Sequence, residues 1–143
     1  MEAKCHDFVV RGMYKTGTST KHRLLFHVVF CPKYRRRILL GEVAKRLSGL
    51  FSQACEMNEW ELHELNVQRD HVHMLLQINP KESLSKVMQI LKGGSSIVIR
   101  KEYPELEEFL WGDSFWGDGY FAESGGTKNE TVIRNYIRNQ KES

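Results

Sequence analysis

The stretch Asp70-His71-Val72-His73-Met74-Leu75-Leu76 limits what this chain can fold into more than any other segment. From Val72 to Ile78 the side chains alternate. Val72, Met74, Leu76 and Ile78 fall on one face, and His71, His73, Leu75 and Gln77 on the other. A strand with that period buries its apolar face in a core. Its second face then presents two imidazoles two residues apart, close enough to hold one cation. Two half-buried polar residues bonded to their neighbours would show the same spacing, so His-x-His alone leaves both readings open.

Several sites that use histidine are excluded. A histidine-triad nucleotide hydrolase needs a third histidine at position 75, which is Leu75. Zinc fingers and zinc hydrolases need more aligned Cys or His than the chain holds. The three cysteines, Cys5, Cys31 and Cys55, are odd in number and lack ligand spacing, so they read as reduced and structural.

The rest of the pattern builds a sheet around the His-x-His strand. Residues 1–20 carry weak pattern and read as a loosely held arm, leaving 21–143 as one catalytic-size domain. From His22 to Cys31, Leu24, Phe26, Val28 and Phe30 share a face, which predicts a first strand ended by Pro32. Glu42 to Met57 predicts an amphipathic helix with Val43, Leu47, Leu50, Phe51 and Ala54 on its stripe. Trp60 to Arg69 predicts a second strand. Its alternation is imperfect, since Leu62 and Trp60 fall opposite Leu65 and Val67, as a bulge would cause. Asp70 then turns the chain into the third strand.

Ser83 can cap a helix running to about Arg100, which Gly93-Gly94 either interrupts or opens to close backbone approach. Gly119 to Glu123 predicts a fourth strand. Thr127-Lys128-Asn129-Glu130 is a capping box that starts a last helix. The order β-α-β-β-α-β-α predicts an α+β, ferredoxin-like (RRM-like) antiparallel sheet. Two helices cover one face, and a C-terminal tyrosine-bearing helix follows. The histidines must look out from the other face, and the last helix is the candidate cover.

On that helix Val132, Ile133, Tyr136, Ile137 and Gln140 form one stripe, with Tyr136 and Gln140 one turn apart. Gln140 in a buried stripe needs a partner, and a cation on His71 and His73 would be one. A core tyrosine with a rim glutamine is the plainer alternative. Net charge is only +3, so bulk charge says little about nucleic acid. Its distribution says more: Lys33, Arg35, Arg36 and Arg37 cluster around Tyr34, and Arg134, Arg138 and Lys141 line the last helix. No apolar run approaches membrane-spanning length. The N-terminus has no apolar signal core, so the expected location is the cytoplasm.

Together the motifs carry a family likeness. From about His22 to Gln140 the chain resembles the single-tyrosine HUH transposases of the insertion-sequence 200/605 type. The landmarks are Leu25-Phe26-His27-Val28-Val29-Phe30, Lys33-Tyr34-Arg35-Arg36-Arg37, Asp70 to Leu76, Leu91-Lys92-Gly93-Gly94-Ser95-Ser96, Phe115 to Phe121 and Tyr136-Ile137-Arg138-Asn139-Gln140. Gly94 departs from the pattern, since relatives often carry a larger residue there.

The resemblance implies a metal-dependent enzyme that cleaves and rejoins single-stranded DNA at hairpin-marked element ends through a 5′-phosphotyrosine. Tyr136 matches the nucleophile, His71 and His73 the metal pair, and Gln140 the third ligand. The implied cofactor is Mg2+ or Mn2+, with imidazoles favouring manganese. The implied assembly is a homodimer with active sites completed in trans, and Gly125-Gly126 offers the joint. Lys33, Arg35, Arg36, Arg37 and Lys92 are the expected DNA contacts. A domesticated relative that processes repeated palindromes would share the chemistry. A non-catalytic nucleic-acid-binding module would want exposed aromatics where His71, His73 and Leu75 stand.

Overall fold

The computed structural model describes residues 24–125 and 130–140. The arm at residues 1–20 and the capping box at 127–130, Glu130 apart, lie outside the described residues. The elements are β1 (Leu24–Phe30), α1 (Gly41–Met57), β2 (Glu61–Gln68), β3 (His71–Ile78), α2 (Leu84–Glu102), β4 (Phe121–Ser124) and α3 (Glu130–Gln140). A 3₁₀ turn occupies Lys33–Arg35, and another at Pro104–Leu106 leads into a one-turn helix at Glu107–Leu110.

The sheet order is β2-β3-β1-β4, antiparallel throughout. The expected ferredoxin-like order of elements is the one observed. Its core lies between the sheet and the two long helices. Val28, Phe30, Val72, Met74, Leu76 and Ile78 point into it from the central strands. Val43, Leu47, Phe51 and Cys55 meet them from α1, and Val87, Met88, Leu91 and Ile99 from α2. The buried residues of α1 recur every four positions, which keeps them on one side of a 3.6-residue helix.

The imperfect alternation of β2 has a local cause. Leu62 pairs with Leu76 and Glu64 with Leu75, so His63 is an extra residue in the ladder. The bulge returns Leu62 to the face of Leu65 and Val67. Ser83 caps α2, its hydroxyl accepting from the Lys86 amide at 3.1 Å. Gly93-Gly94 does not do what its sequence led us to expect. The helix runs unbroken through it, and a Cβ at either glycine would meet nothing within 4 Å. Neither a break nor a close approach explains the pair.

Between the one-turn helix and β4 the chain returns to β1. The Lys33 amide donates to the Phe115 carbonyl at 2.9 Å and the Gly117 amide to the Cys31 carbonyl at 2.8 Å. Trp116 is buried there, its indole N–H donating to the Ser95 hydroxyl. This bridge continues the sheet past the end of β1 and lays down the floor on which the last helix ends.

Candidate active site

The antiparallel ladder assembles the second sheet face. Val29 stands opposite His73, and His27 opposite Leu75 and Glu123. His27 and His73 therefore share a face, and both are buried. Their rings stack nearly parallel, with centroids 5.1 Å apart, and His27 Nδ1 lies 3.1 Å from His73 Nε2. One of these nitrogens donates and the other accepts. His71, at the strand's start, is half-buried. Its Nδ1 donates to Asp70 Oδ1 at 2.9 Å. A carboxylate on Nδ1 holds the proton there and leaves Nε2 with its lone pair, the tautomer a ligating histidine needs.

Helix α3 lies across this face. The Tyr136 ring packs 6.0 Å from that of Phe121, whose position on β4 is opposite Val29. Val29 and Ile133 are buried, yet neither belongs to the core beneath the long helices. The Tyr136 hydroxyl is buried and has no hydrogen-bond partner among the described residues. Burial, and secondarily the Cys31 thiol, holds this phenol well above its ordinary pKa. Cys31 is itself pushed up to about 12, mainly by burial and further by Asp70, against the opposing pull of Arg35 and Lys92.

Gln140 ends the helix over the bridge. A Cβ on Gly117 would stand 2.9 Å from Gln140 Oε1 and 3.4 Å from the Cys31 carbonyl oxygen. Glycine at 117 makes room for the carboxamide. Among the described residues no group of three or more His, Cys, Asp or Glu is arranged to hold a metal. The expected ligand set is different, two imidazoles and an amide. His71 and His73 share the strand face, and the amide oxygen stands at Gly117.

The basic turn divides its residues. Tyr34 and Arg35 both adopt left-handed backbone, with φ of 61° and 53°. Each such non-glycine residue costs roughly 1–3 kcal/mol and persists only when its surroundings hold it. The reversal accompanies a turn of Arg35 toward Asp70 and α3. Its Nε meets Asp70 Oδ2 at 3.2 Å, and its Nη1 donates to the Ile137 carbonyl at 3.4 Å. Lys33 and Arg36 stand over the Tyr34 ring at 5.5 and 5.1 Å. Lys33 also reaches Asp118 at 3.9 Å, and Arg37 is exposed. Lys92 turns inward, donating to the carbonyls of Gly117 and Gly119 at 2.8 and 2.7 Å. Burial lowers its pKa.

Sequence reasoning underrated three residues. His27 has no second histidine on its own strand to mark it, but its alternation against Phe26 and Val28 sets it on the second face. Asp70 read mainly as a turn residue, and its bond to His71 depends on side-chain geometry. For Gly117 the reason lies in another element, α3.

The chain was compared with known proteins. The family model for IS200-like transposases matches residues 20–140. The transposase of insertion sequence IS200 from Salmonella typhimurium is 35% identical over 131 residues, which is 92% of this chain and 86% of the relative. The ISDra2 transposase TnpA of Deinococcus radiodurans is 32% identical over 126 residues, 88% of this chain and 90% of the relative. A crystal structure from Deinococcus radiodurans, assigned as a transposase, superposes with a TM-score of 0.76 at 30% identity, covering 82% of this chain and 91% of the other. The structure of a REP-associated tyrosine transposase bound to a REP hairpin shares the fold at a TM-score of 0.50 and 12% identity, covering 80% and 62%. A four-stranded antiparallel sheet with a tyrosine helix across its histidine face, and a sequence match over nearly its whole length, place this chain in the IS200-like transposase family.

Proposed function

We propose that the protein cleaves and rejoins single-stranded DNA at hairpin-marked insertion-sequence ends, with Tyr136 as nucleophile. The observation that carries this reading is the placement of the tyrosine helix on the histidine face, with a hydroxyl that no described residue engages. A buried phenol without a partner is a cost in a merely structural role. It is what a nucleophile awaiting its substrate looks like.

The donor set fits a divalent cation. His71, its Nε2 lone pair kept by the Asp70 bond to Nδ1, His73 on the same face and the Gln140 amide would hold Mg2+ or Mn2+. Such an ion, when bound, polarises the scissile phosphate and stabilises charge in the transition state. The protein's own groups do the rest. The phenolic oxygen of Tyr136 forms a bond to phosphorus while the bond from phosphorus to the 3′ oxygen breaks. The phenol loses its proton and the departing 3′ oxygen gains one. The products are a 5′-phosphotyrosine and a free 3′-hydroxyl. The reverse attack by another 3′-hydroxyl reseals the strand without external energy. Burial favours the protonated phenol before substrate binds. Lys33, Arg36 and Arg37 form the phosphate-facing side of the basic turn. Gly125, with a φ of +88°, opens the joint before α3, and an exchange of that helix between two copies would complete each site in trans.

The test is incubation with end-labelled single strands carrying the element's subterminal hairpins. A manganese-dependent covalent adduct that Tyr136→Phe removes is the expected result, and no adduct from the wild-type protein would overturn the reading. Mixing Tyr136→Phe with His71→Ala/His73→Ala protein tests assembly. Restored cleavage means sites built in trans, provided that heterodimers are seen by mass. Palindrome processing by a domesticated relative keeps the same chemistry. Sequencing the flanking DNA for paired subterminal hairpins separates the two. No described helix is long and apolar enough to cross a membrane.

A further inference from the structure

Arg35 sits where three parts of the site meet, and its placement differs from that of its basic neighbours. Lys33 and Arg36 both stand over the Tyr34 ring. Arg35 instead follows a left-handed residue, is left-handed itself, and turns its guanidinium to Asp70 and to α3. Its guanidinium touches Asp70, the carboxylate that holds the His71 ring, and the carbonyl of Ile137, next to Tyr136 on α3. The 33–35 turn is also one of the surfaces against which α3 packs.

We propose that Arg35 is a positioning residue, which fixes His71 through Asp70 and steadies the tyrosine helix through the Ile137 carbonyl, and not a phosphate contact. The planar guanidinium suits the task, because one fork can serve a carboxylate and a carbonyl at once. The two contacts are unequal. The charge-assisted contact to Asp70, at 3.2 Å, is the stronger. The bond to Ile137, at 3.4 Å, is long, so the grip on the helix is the lesser effect. Asp70 shared between Arg35 and His71 makes a single chain of contacts. Loss of either Arg35 or Asp70 should then produce much the same defect in His71. The inference rests on the proposed role of His71 as a metal ligand. Its helix arm does not.

The experiment uses the full chain and three readouts. Manganese binding is followed by the electron paramagnetic resonance of free Mn2+, without DNA. Hydrogen–deuterium exchange is followed over residues 130–140. Binding of a single-stranded oligothymidine is measured in chelator across a salt series. For Arg35→Gln we expect manganese affinity to fall about tenfold or more, the range for a lost outer-sphere partner. Amide exchange in α3 should quicken severalfold. Oligothymidine affinity and its salt slope should stay at the wild-type values. Asp70→Asn should lose manganese affinity similarly, and the double variant should be no worse than the worse single one. Arg35→Lys keeps the charge, so it tests the fork in a protein whose fold is least disturbed, and it should recover part of the affinity.

Wild-type manganese affinity and wild-type exchange in both Arg35 variants would overturn the proposal. So would a defect confined to oligothymidine binding with the salt slope reduced by about one, the signature of a phosphate contact. If His71→Ala/His73→Ala protein binds manganese as well as wild type, the metal reading itself fails. The exchange arm then still decides whether Arg35 holds the helix.

Discussion

The two faces of the sheet are built from alternate residues of the same strands, and they are held by different physics. On the helix-covered face Val28, Phe30, Val72, Met74, Leu76 and Ile78 are all fully buried. Their contribution is area removed from water, which has no direction and tolerates any well-fitting apolar shape. On the other face, one residue along each strand, stand His27, His73 and His71. They are held by directional contacts: ring nitrogen to ring nitrogen, carboxylate to imidazole, guanidinium to carboxylate. One face stores stability, while the other holds the groups proposed to react. A substitution should therefore move either stability or cleavage, according to which face it touches.

Tyr136→Phe should show the largest separation. Cleavage should fall by about ten thousandfold or more. Stability in urea should hold or rise by up to about 1 kcal/mol, because the hydroxyl removed has no partner among the described residues. An adduct that persists in the variant would move the nucleophile elsewhere, with Tyr120 the first residue to examine. The opposite signature belongs to Leu76→Ala, which should lose about 2–5 kcal/mol in urea melts. Cleavage per folded molecule should remain near wild type. A comparable catalytic loss in that variant would show that the faces are not separable.

His71→Ala or His73→Ala should lower cleavage at least about a hundredfold at fixed manganese, with partial recovery as manganese rises. Gln140→Ala should be milder. Full activity of His73→Ala in chelator would remove the metal from the mechanism. Gly117→Ala tests the link between floor and helix. Its Cβ would stand 2.9 Å from Gln140 Oε1, so the carboxamide must move. Cleavage should drop about tenfold, roughly 1.4 kcal/mol of activation energy. Unchanged cleavage would mean that Gln140 works from another position.

The smallest effect is one of alkaline pH. The Cys31 thiol ionises near 9.0 in the unfolded chain but at about 12 when folded. A pKa raised by folding stabilises the protein below the unfolded value, and that stability is lost as pH climbs from 9 toward 12. The melting temperature should sag across that window, and Cys31→Ala should flatten the sag. An equal slope in the variant would assign it to other groups, Tyr136 among them.

Periodicity and local chemistry make much of this molecule legible from its residues alone. The period of β3 put His71 and His73 on one face and the core residues on the other. The 3.6-residue stripe of α1 and the serine cap of α2 set those helices. The stripe on α3 brought Tyr136 and Gln140 together. These follow from backbone geometry within a few residues, so they are readable before any fold is known. Even the bulge in β2 left its mark as a broken alternation.

The tertiary structure alone decided what depends on the meeting of distant segments. His27 becomes the neighbour of His73 because β1 pairs with β3 in one register. Lys92 and Arg35 look like any surface cation in sequence, yet one is bound to two loop carbonyls and the other to Asp70. A long basic side chain reaches water or the interior with the same local pattern. Only the carbonyls and carboxylates brought near it from elsewhere in the chain determine which.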